Sequence, residues 1–279
     1  MELTHEQVLS ILPDRQRNSH KGDFGRILLL CGSRGYTGAA ALCAMGCLRS
    51  GAGLVFLGVP ESIYAIEAVK LDEAIVFPLK DRDGMLSRDA IGEILCRLPS
   101  MDAVVLGCGL GQSEDTLEVV KAVLEAAECP VVLDADGINL IAAHKDILRR
   151  RKGITVLTPH EGEFARLGGE LSGGREAAAI SMARNTGCIL VLKGPGTVIT
   201  DGQAAYINPT GNPGMAVGGS GDVLAGIIGA FLGQGMGALE AAACGVFVHG
   251  LAGDICAGEM GQYGMLPSDM IRVLPRLLK

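Results

Sequence analysis

Short apolar runs alternate with segments whose apolar positions recur every three or four residues along most of the chain. The runs are apolar on both faces, which is typical of a parallel sheet covered by helices on both sides. The predicted strands are 26–31, 53–59, 74–77, 102–107, 130–134, 154–157 and 188–193. The predicted helices between them include 38–50, 88–98, 113–127 and 174–186. The pattern therefore predicts a layered α/β fold.

The pattern changes towards the C-terminal side. Residues 197–208 predict a strand, a turn at Asp201-Gly202 and a returning strand, which would form an antiparallel hairpin at the edge of the sheet. Two helices rich in glycine and alanine are predicted at about 221–233 and 238–258, where small residues would permit close packing. Because no linker or repeat divides the sequence, we expect a single domain over 1–279.

Composition narrows the function classes. The 279 residues are 48% hydrophobic and 20% charged, which excludes disorder as a description of the whole chain. The net charge of −7 argues against nucleic acid or an anionic membrane as a partner. Glycine is unusually abundant, with 41 residues that fall in clusters between apolar runs. These clusters indicate loops that approach a ligand closely.

The nine cysteines lie mostly in apolar segments, without a C-x-x-C pair or the spacing of a cysteine and histidine metal site. We interpret them as small buried hydrophobic residues in a reducing compartment. The first thirteen residues are polar, and no uninterrupted apolar run approaches the length of a membrane span. These features predict a cytoplasmic protein without a membrane association.

The segment 208–226, NPTGNPGMAVGGSGDVLAG, carries the strongest chemical signal. The glycine-rich turn Gly218-Gly219-Ser220-Gly221 precedes an apolar helix, so its backbone amides and the helix dipole favour an anion there. Asp222 falls in the first helical turn beside them. A carboxylate at that position is ordinarily a mild helix stabiliser, but next to an anion hole it predicts a general base.

Three further segments follow predicted strands, where open α/β sheets bind ligands. Lys193 begins a Lys-Gly-Pro-Gly loop able to contact a nucleotide, although a lysine at a strand end is usually solvated. In 156–164 the spacing fits Thr158 as helix N-cap, Pro159 as N1 and Glu161 as N3. His160 then lies at N2, either as a neutral ring that forms hydrogen bonds to a ligand or as a capping-turn residue without a further role. In 131–139, Asp134 and Asp136 suit a turn, a helix cap, or contacts to a metal or sugar hydroxyl.

Two glycine-rich segments, 28–42 and 104–116, also run from a strand end into a helix. The chain has no G-x-x-x-x-G-K-[ST] motif, G-x-S-x-G elbow or H-E-x-x-H motif, which removes support for a Walker NTPase, a serine hydrolase or a zinc enzyme. What remains is a site for a nucleotide or phosphate together with a second ligand.

Taken together, these segments resemble the ribokinase-like superfamily and, within it, the ADP- or ATP-dependent NAD(P)H-hydrate dehydratases. The resemblance covers most of the chain, from KGDFGRILLLCGS at 21–33 to the last helix, and segment 208–226 is its most specific part. It implies a three-layer sandwich with a mostly parallel sheet and an antiparallel edge hairpin.

The implied reaction returns hydrated NADH or NADPH to the intact cofactor. A nucleotide phosphoryl group would be transferred to the ring hydroxyl, and elimination would restore the double bond, with ADP (or ATP) as co-substrate and Mg²⁺ as cofactor. Bacterial relatives generally use ADP. The resemblance also implies a homotetramer.

The resemblance assigns roles residue by residue. Asp222 would be the catalytic base, and the residues implied to contact the hydrated nicotinamide are Ala39, Gly109, His160 and Asp222. The residues implied to bind the nucleotide are Lys193, Gly194, Pro195, Gly196, Thr197 and Gly221. The implied anion hole is Gly218 to Gly221. Asp134 and Asn139 match family motifs without a firm role, and the metal ligands stay unassigned.

Two departures qualify the resemblance. Many relatives carry an epimerase domain ahead of this one, whereas about twenty residues precede the matching region here, so a separate epimerase would be needed. Position 108 is Cys where relatives often have Pro. Two alternatives stay open: a kinase of the same fold acting on a hydroxymethylpyrimidine or thiazole alcohol, and a nucleotide-binding regulatory module without catalysis.

Overall fold

Nine strands form one sheet in the computed structural model, which describes residues 4–278. The strands are β1 Arg26–Leu30, β2 Leu54–Pro60, β3 Ile75–Leu79, β4 Asp81–Arg82, β5 Met85–Leu86, β6 Ala103–Leu106, β7 Val131–Leu133, β8 Thr155–Leu157, β9 Ile189–Leu192, β10 Val198–Thr200 and β11 Ala205–Ile207. The short β4 and β5 pair with each other as a separate antiparallel ribbon.

Helices connect and cover these strands. The α-helices are α1 His5–Ile11, α2 Thr37–Arg49, α3 Glu61–Lys70, α4 Ile91–Arg97, α5 Glu114–Ala126, α6 Asp136–Ile141, α7 Asp146–Arg150, α8 Glu161–Arg166, α9 Arg175–Thr186, α10 Ser220–Gly233, α11 Ala238–Met260 and α12 Pro267–Leu277. Short 3₁₀ turns occupy Lys21–Phe24, Arg88–Ala90, Leu98–Ser100, Ala142–His144 and Pro213–Met215.

The main sheet is parallel except at one edge. Its strand order is β11-β10-β9-β8-β7-β6-β1-β2-β3, and the strands from β9 to β3 in that order run parallel. Strands β10 and β11 pair antiparallel and complete the edge next to β9. The predicted mostly parallel sheet with an antiparallel edge hairpin is therefore confirmed.

Alternate residues of the strands pack into two hydrophobic layers. In β1, Ile27 and Leu29 join the layer that contains α2, α10, α11 and α12, whereas Leu28 and Leu30 join the layer that contains α4 to α9. All four side chains are fully buried, and each such side chain contributes about 1.5–3 kcal/mol to folding. The result is a three-layer sandwich, as predicted.

Most predicted elements lie within one or two residues of the observed ones, and three differ. The predicted helix 88–98 is shorter as an α-helix, because a 3₁₀ turn precedes and another follows α4. The hairpin has a four-residue loop rather than a tight Asp201-Gly202 turn, since Thr200 pairs with Ala205. The Asp201 carboxylate accepts the amides of Gln203 and Ala204 and so widens that loop. The third difference, the start of α8, concerns the site.

Helices α2 and α10 approach each other closely through small residues. A Cβ atom on Gly226 would overlap the carbonyl group of Cys43, and one on Gly46 would lie 2.7 Å from the carbonyl oxygen of Val223. Larger side chains at these positions would push the helices apart. The predicted role of the small residues is thus observed, and it holds the N-terminus of α10 above the sheet.

Helix α11 is long and apolar enough to cross a membrane by length and composition, although Glu240, His249 and Asp254 interrupt its apolar run. Within the fold, however, 72% of its most apolar window is buried. Core helices have the same character because they are covered by protein on most sides. Length and composition alone are therefore weak evidence for a span.

Candidate active site

The carboxyl ends of five neighbouring parallel strands meet at one edge of the sheet. Strands β9, β8, β7, β6 and β1 are adjacent in that order, so the residues that follow them lie side by side. Those residues are Lys193, Thr158, Asp134, the loop with Cys108 and Gly109, and Cys31. This edge is where open α/β sheets bind ligands.

Asp134 and Lys193 form a buried ion pair at the centre of this edge. The Nζ atom of Lys193 lies 2.8 Å from Oδ1 of Asp134, and the Thr158 hydroxyl donates to the same oxygen at 2.6 Å. Burial disfavours the charge on Lys193, but the carboxylates of Asp134 and Glu163 outweigh it and raise the pKa of the ammonium. Lys193 is therefore a fixed positive charge in the site.

The start of α8 differs from the prediction. His160, not Thr158, is the N-cap: its Nδ1 accepts the amides of Gly162 and Glu163 at 3.0 and 3.2 Å. The Glu163 carboxylate accepts the His160 amide in return, which completes the capping box. Thr158 is buried instead against Asp134, because a hydroxyl there satisfies a carboxylate that has left water.

The cap fixes the state of the His160 ring. An Nδ1 atom that accepts two amide protons carries no proton, so Nε2 carries it and faces the Glu163 carboxylate at 3.3 Å. The ring is neutral, as expected, although the cause is capping rather than position N2. About half of the side chain is exposed beside the Asp134–Lys193 pair that Glu163 also contacts, with Glu163 Oε2 3.7 Å from Lys193 Nζ.

Asp222 reaches the same centre from the other layer. It lies in the first turn of α10, and its carboxylate, the Asp134 carboxylate and the Cys108 sulfur all lie within 4.8 Å of one another. Burial, followed by repulsion from Asp134, raises the pKa of Asp222 from its ordinary 3.8 to about 7. A carboxylate with a pKa near neutral is poised to take a proton.

The turn before α10 offers free backbone amides beside Asp222. Within residues 4–278, the amides of Gly219, Gly221 and Asp222 have no acceptor, whereas the Ser220 amide donates to the Val217 carbonyl at 3.3 Å. The amides of Gly219 and Gly221 are therefore available at the predicted anion hole, whereas the Ser220 amide is already bonded. Gly219 adopts the left-handed region at φ 97°, which glycine allows.

A buried histidine supports Ser220 from α11. The His249 Nε2 atom lies 3.4 Å from the Ser220 hydroxyl. Burial lowers the pKa of His249 to about 4, so the ring is neutral at physiological pH. Sequence reasoning did not single out His249, because nothing in its apolar helical segment distinguishes it from a core residue.

The predicted substrate contacts Ala39 and Gly109 are neighbours. A Cβ atom on Gly109 would lie 2.7 Å from the Ala39 Cβ and 2.9 Å from the Tyr36 Cβ. Gly109 itself has φ 60°, in the left-handed region. The loop after β6 therefore packs closely on the N-terminus of α2, and only glycine fits there.

The predicted nucleotide loop continues from the ion pair to the surface. Gly194, Pro195 and Gly196 are exposed, and Thr197 closes the loop by donating from its hydroxyl to the Gly194 carbonyl at 2.9 Å. Arg175 on α9 donates to the carbonyl of Lys193 at 2.9 Å and so holds the base of the loop. Gly221 faces Lys193, since a Cβ there would lie 3.4 Å from its Nζ.

Asp136 and Asn139 have mainly structural contacts. Asp136 accepts the Gly111 amide at 2.9 Å and the Gln112 side chain at 2.8 Å, so it anchors the loop after β6. Asn139 accepts from Arg166 at 2.7 Å. Ala135 lies between Asp134 and Asp136 in the sequence. Its φ of 48° is a strained value for alanine.

Seven of the nine cysteines are buried as interpreted, whereas Cys96 is exposed and Cys129 is half-buried, and three of the buried ones form a cluster. Cys31, Cys43 and Cys108 are fully buried, yet their sulfur atoms lie within 4.8 Å of one another. Cys108 also lies 3.6 Å from Oδ2 of Asp134. Hydrogen bonds from Cys108 and then Cys43 lower the pKa of Cys31 to about 5. Their positions of 31, 43 and 108 follow no ligand spacing, so only the fold brings them together.

A family model described as NAD(P)H-hydrate dehydratase matches residues 27–276, which is most of the chain. The chain belongs to this family. The bifunctional NAD(P)H-hydrate repair enzyme of Moorella thermoacetica is 44% identical over 99% of this chain, and that of Thermofilum pendens is 42% identical over 96%. The chain spans about half of their length, 53% and 52%.

Solved structures agree with the family and the fold. The ADP/ATP-dependent NAD(P)H-hydrate dehydratase of Bacillus subtilis, co-crystallised with ATP and Mg²⁺, is 33% identical, with a TM-score of 0.84 over 98% of this chain and 96% of that one. Ribokinase of Arabidopsis thaliana is 16% identical with a TM-score of 0.58, which shows a shared fold alone. The predicted ribokinase-like architecture and family membership are confirmed.

Proposed function

We propose that this NAD(P)H-hydrate dehydratase family member uses ADP to dehydrate the hydrates of NADH and NADPH, releasing AMP and phosphate. The observation that carries the proposal is Asp222, a carboxylate with a pKa of about 7 that lies beside free amides at the N-terminus of α10. A pure nucleotide-binding module has no need of a base at that point.

Asp222 takes the first proton. Its carboxylate removes the proton from the hydroxyl group of the hydrated ring while that oxygen attacks the terminal phosphorus of the nucleotide. The bond between that phosphorus and the bridging oxygen breaks, and AMP leaves. Phosphate then departs from the ring with the bonding electrons, the neighbouring ring carbon loses its proton to water, and the electrons of that C–H bond form the restored double bond.

Residues around Asp222 bind the nucleotide. The free amides of Gly219 and Gly221 are available to bind the oxygens of the transferred phosphoryl group, which carry the developing charge. Lys193 adds a positive charge next to Gly221, and the loop from Gly194 to Thr197, exposed at Gly194, Pro195 and Gly196, lies against the rest of the nucleotide.

The hydrated nicotinamide occupies the side of the site formed by Ala39, Gly109 and His160. The loop at Gly109 packs closely on Ala39 at the N-terminus of α2. The neutral His160 ring presents its exposed edge to the ligand. In this proposal the ring hydroxyl lies near Asp222, as the proton transfer requires.

Mg²⁺ accompanies the nucleotide in this proposal, and the donors fit it. Oδ1 of Asp134 is bound by Lys193 and Thr158, but Oδ2 and the Asp222 carboxylate are oxygen donors of the type that Mg²⁺ prefers. Such an ion offsets phosphate charge, and most of its ligands would be phosphate oxygens and water.

The remaining parts of the proposal concern the protein as a whole. We infer one catalytic domain over 1–279, a homotetramer, and a cytoplasmic location without a nucleic-acid or membrane partner. The relatives from Moorella and Thermofilum are named bifunctional, and this chain matches about half of each.

The test is to follow the return of the near-ultraviolet absorbance of reduced nicotinamide from hydrated NADH, with Mg²⁺ and either ADP or ATP. We expect recovery that requires ADP. Asp222→Asn should lower turnover by about 10²–10⁴-fold, the range for loss of a general base, while calorimetry shows nucleotide binding retained. Asp146→Asn, which removes an exposed carboxylate from the first turn of α7, is the matched control and should turn over normally.

Near-normal turnover by Asp222→Asn would overturn the assignment of the base. If the absorbance recovers with neither ADP nor ATP although the nucleotide binds, the proposed reaction is contradicted. That result would favour a kinase acting on a small alcohol, which would use the same base and anion hole. Recovery with ATP alone would correct the phosphoryl donor.

A further inference from the structure

Three buried cysteines meet next to the carboxylates of Asp134 and Asp222. Cys31 follows β1, Cys43 lies on α2 and Cys108 follows β6, and each side chain is fully buried. Their sulfur atoms lie within 4.8 Å of one another, and the Cys31 and Cys43 sulfurs are 3.9 Å apart. The proposed reaction uses none of these thiols as a nucleophile.

The sulfur geometry suits one soft divalent cation. Zinc–thiolate bonds are about 2.3 Å long, so three thiolates around one ion place their sulfurs about 3.8–4.0 Å apart. The Cys31–Cys43 separation of 3.9 Å already has this value. Because the other pairs lie within 4.8 Å, closure of Cys108 onto the ion requires a shift of less than about 1 Å.

The site also has an entrance. Cys108 belongs to a second group of donors with Asp134 and Asp222, whose oxygens and the Cys108 sulfur lie within 4.8 Å of one another. Asp222 is only partly buried, unlike the thiols. A cation can therefore meet the carboxylates of the active site first and pass to the thiols, which hold soft cations more tightly than oxygen does.

We propose that Cys31, Cys43 and Cys108 bind one thiophilic divalent cation, of the Zn²⁺ or Cd²⁺ type, and that its binding inhibits the enzyme. Three thiols lose their protons, three metal–sulfur bonds form, and the cluster gains a net negative charge. Cys108 then no longer offers a proton to the Asp134 carboxylate 3.6 Å away, and Asp222 faces added negative charge. The binding stands on the thiol geometry alone, whereas the inhibition rests on the proposed function.

The experiment uses the full chain with Cys96 and Cys129 changed to serine, since these are the thiols that the fold leaves exposed or half-buried. Cd²⁺ titration should produce ultraviolet thiolate-to-cadmium absorption that saturates at one ion per chain, with release of about three protons per ion in weak buffer. Turnover should fall about ten-fold or more and return on adding a chelator, as expected for loss of a hydrogen bond to a charged group.

Cys43→Ser is the decisive variant, because Cys43 lies on α2 and it is Cys108 that contacts the Asp134 carboxylate. It should weaken Cd²⁺ binding by about 10–100-fold and keep turnover without metal. The matched control is Cys244→Ser, a buried cysteine of α11, which should bind Cd²⁺ normally. Cadmium NMR of the protein without the Cys43 substitution should report three thiolate ligands, and this reading does not depend on how the variant folds.

Absence of thiolate absorption, or a cadmium signal typical of oxygen ligands alone, would overturn the site. Equal Cd²⁺ binding by Cys43→Ser would overturn it as well. Thiolate binding with unchanged turnover would overturn the inhibition and leave the proposed reaction intact. If the protein lacks dehydratase turnover in all forms, the absorption and NMR readings still decide the binding.

Discussion

The ammonium of Lys193 and the carboxylate of Asp134 are 2.8 Å apart, at the ends of strands β9 and β7. Thr158, at the end of the intervening β8, donates to the same carboxylate oxygen. Asp134 is only 2% exposed, so its charge has left water and depends on these two partners and on the Cys108 thiol, which lies 3.6 Å from its other oxygen. Lys193 therefore has two tasks, since it both neutralises Asp134 and faces the predicted phosphate site.

Lys193→Ala is expected to raise the nucleotide concentration needed for turnover without altering the product, and to destabilise the fold. An unpaired buried carboxylate costs about 3–5 kcal/mol. The double variant Lys193→Ala with Asp134→Asn removes that charge, so it should recover part of the stability but none of the nucleotide affinity. Thermal unfolding of both variants measures the stability, and calorimetric titration measures the nucleotide affinity.

The two readouts separate the two tasks. Unchanged nucleotide affinity in Lys193→Ala would remove Lys193 from the nucleotide site. A double variant no more stable than the single one would show that Asp134 does not depend on the ion pair.

Gly109→Ala is expected to reduce substrate affinity, which a substitution that causes only backbone strain elsewhere would leave unchanged. The added methyl group would meet the Ala39 and Tyr36 Cβ atoms at 2.7 and 2.9 Å, and φ is 60°. Gly187→Ala is the matched control, because Gly187 ends α9 at φ 71° with nothing within 4 Å of an added Cβ. Both should lose about 1 kcal/mol to strain.

Of the two variants, Gly109→Ala alone should lose more stability than the strain cost that both share. It alone should also show a raised KM for the hydrate. Steady-state kinetics and melting temperatures provide the comparison. Equal behaviour of the two variants would mean that the loop adjusts freely, and that the close contact with α2 does not shape the substrate site.

His160 caps α8 and lies at the substrate side, and two substitutions distinguish these roles. His160→Ala removes the cap and should cost about 1 kcal/mol of stability. His160→Asn keeps a capping oxygen for the amides of Gly162 and Glu163 and should restore most of it. If the ring contacts the hydrate, both variants raise KM to a similar extent. A normal KM in His160→Asn would reduce His160 to a capping residue.

The sequence predicted the layers and the sheet edge well, because apolar runs and strand ends report local geometry directly. Asp134, Lys193 and Asp222 each follow or begin a well-marked element, and parallel strands bring such positions together. The α8 cap was harder to predict. Thr158 and His160 each fit a capping pattern. Which of them caps α8 depends on Asp134, because its carboxylate, at the end of the neighbouring strand, accepts the hydrogen bond of the Thr158 hydroxyl.

The thiol cluster and His249 lay beyond sequence reasoning for a different reason. Cys31, Cys43 and Cys108 come from two strand ends and a helix, and no fixed spacing connects them. His249 lies in α11, where 23 mostly apolar residues give no sign that one face reaches Ser220. Contacts between layers depend on packing distances that an apolar pattern does not encode.

Asp222 is expected to make both activity and stability depend on pH. Its pKa of about 7 means that the base is protonated below that pH, so kcat/KM should fall as the pH drops through about 7. In the unfolded chain the carboxyl titrates near its ordinary 3.8, so folding favours the protonated form. The contribution of this group to stability is fully present below about pH 4 and is lost as the pH rises to about 7.

Asp222→Asn removes this titration. The variant should therefore melt above the unsubstituted protein at about pH 8, and the difference should shrink as the pH falls towards 4. Each kcal/mol corresponds to about 2–4 °C for a chain of this size. Melting temperatures of Asp222→Asn and Asp146→Asn across this range are the measurement, because Asp146 is exposed in a comparable helical turn. A difference that stays constant with pH would show that Asp222 ionises in the folded protein as it does in the unfolded chain.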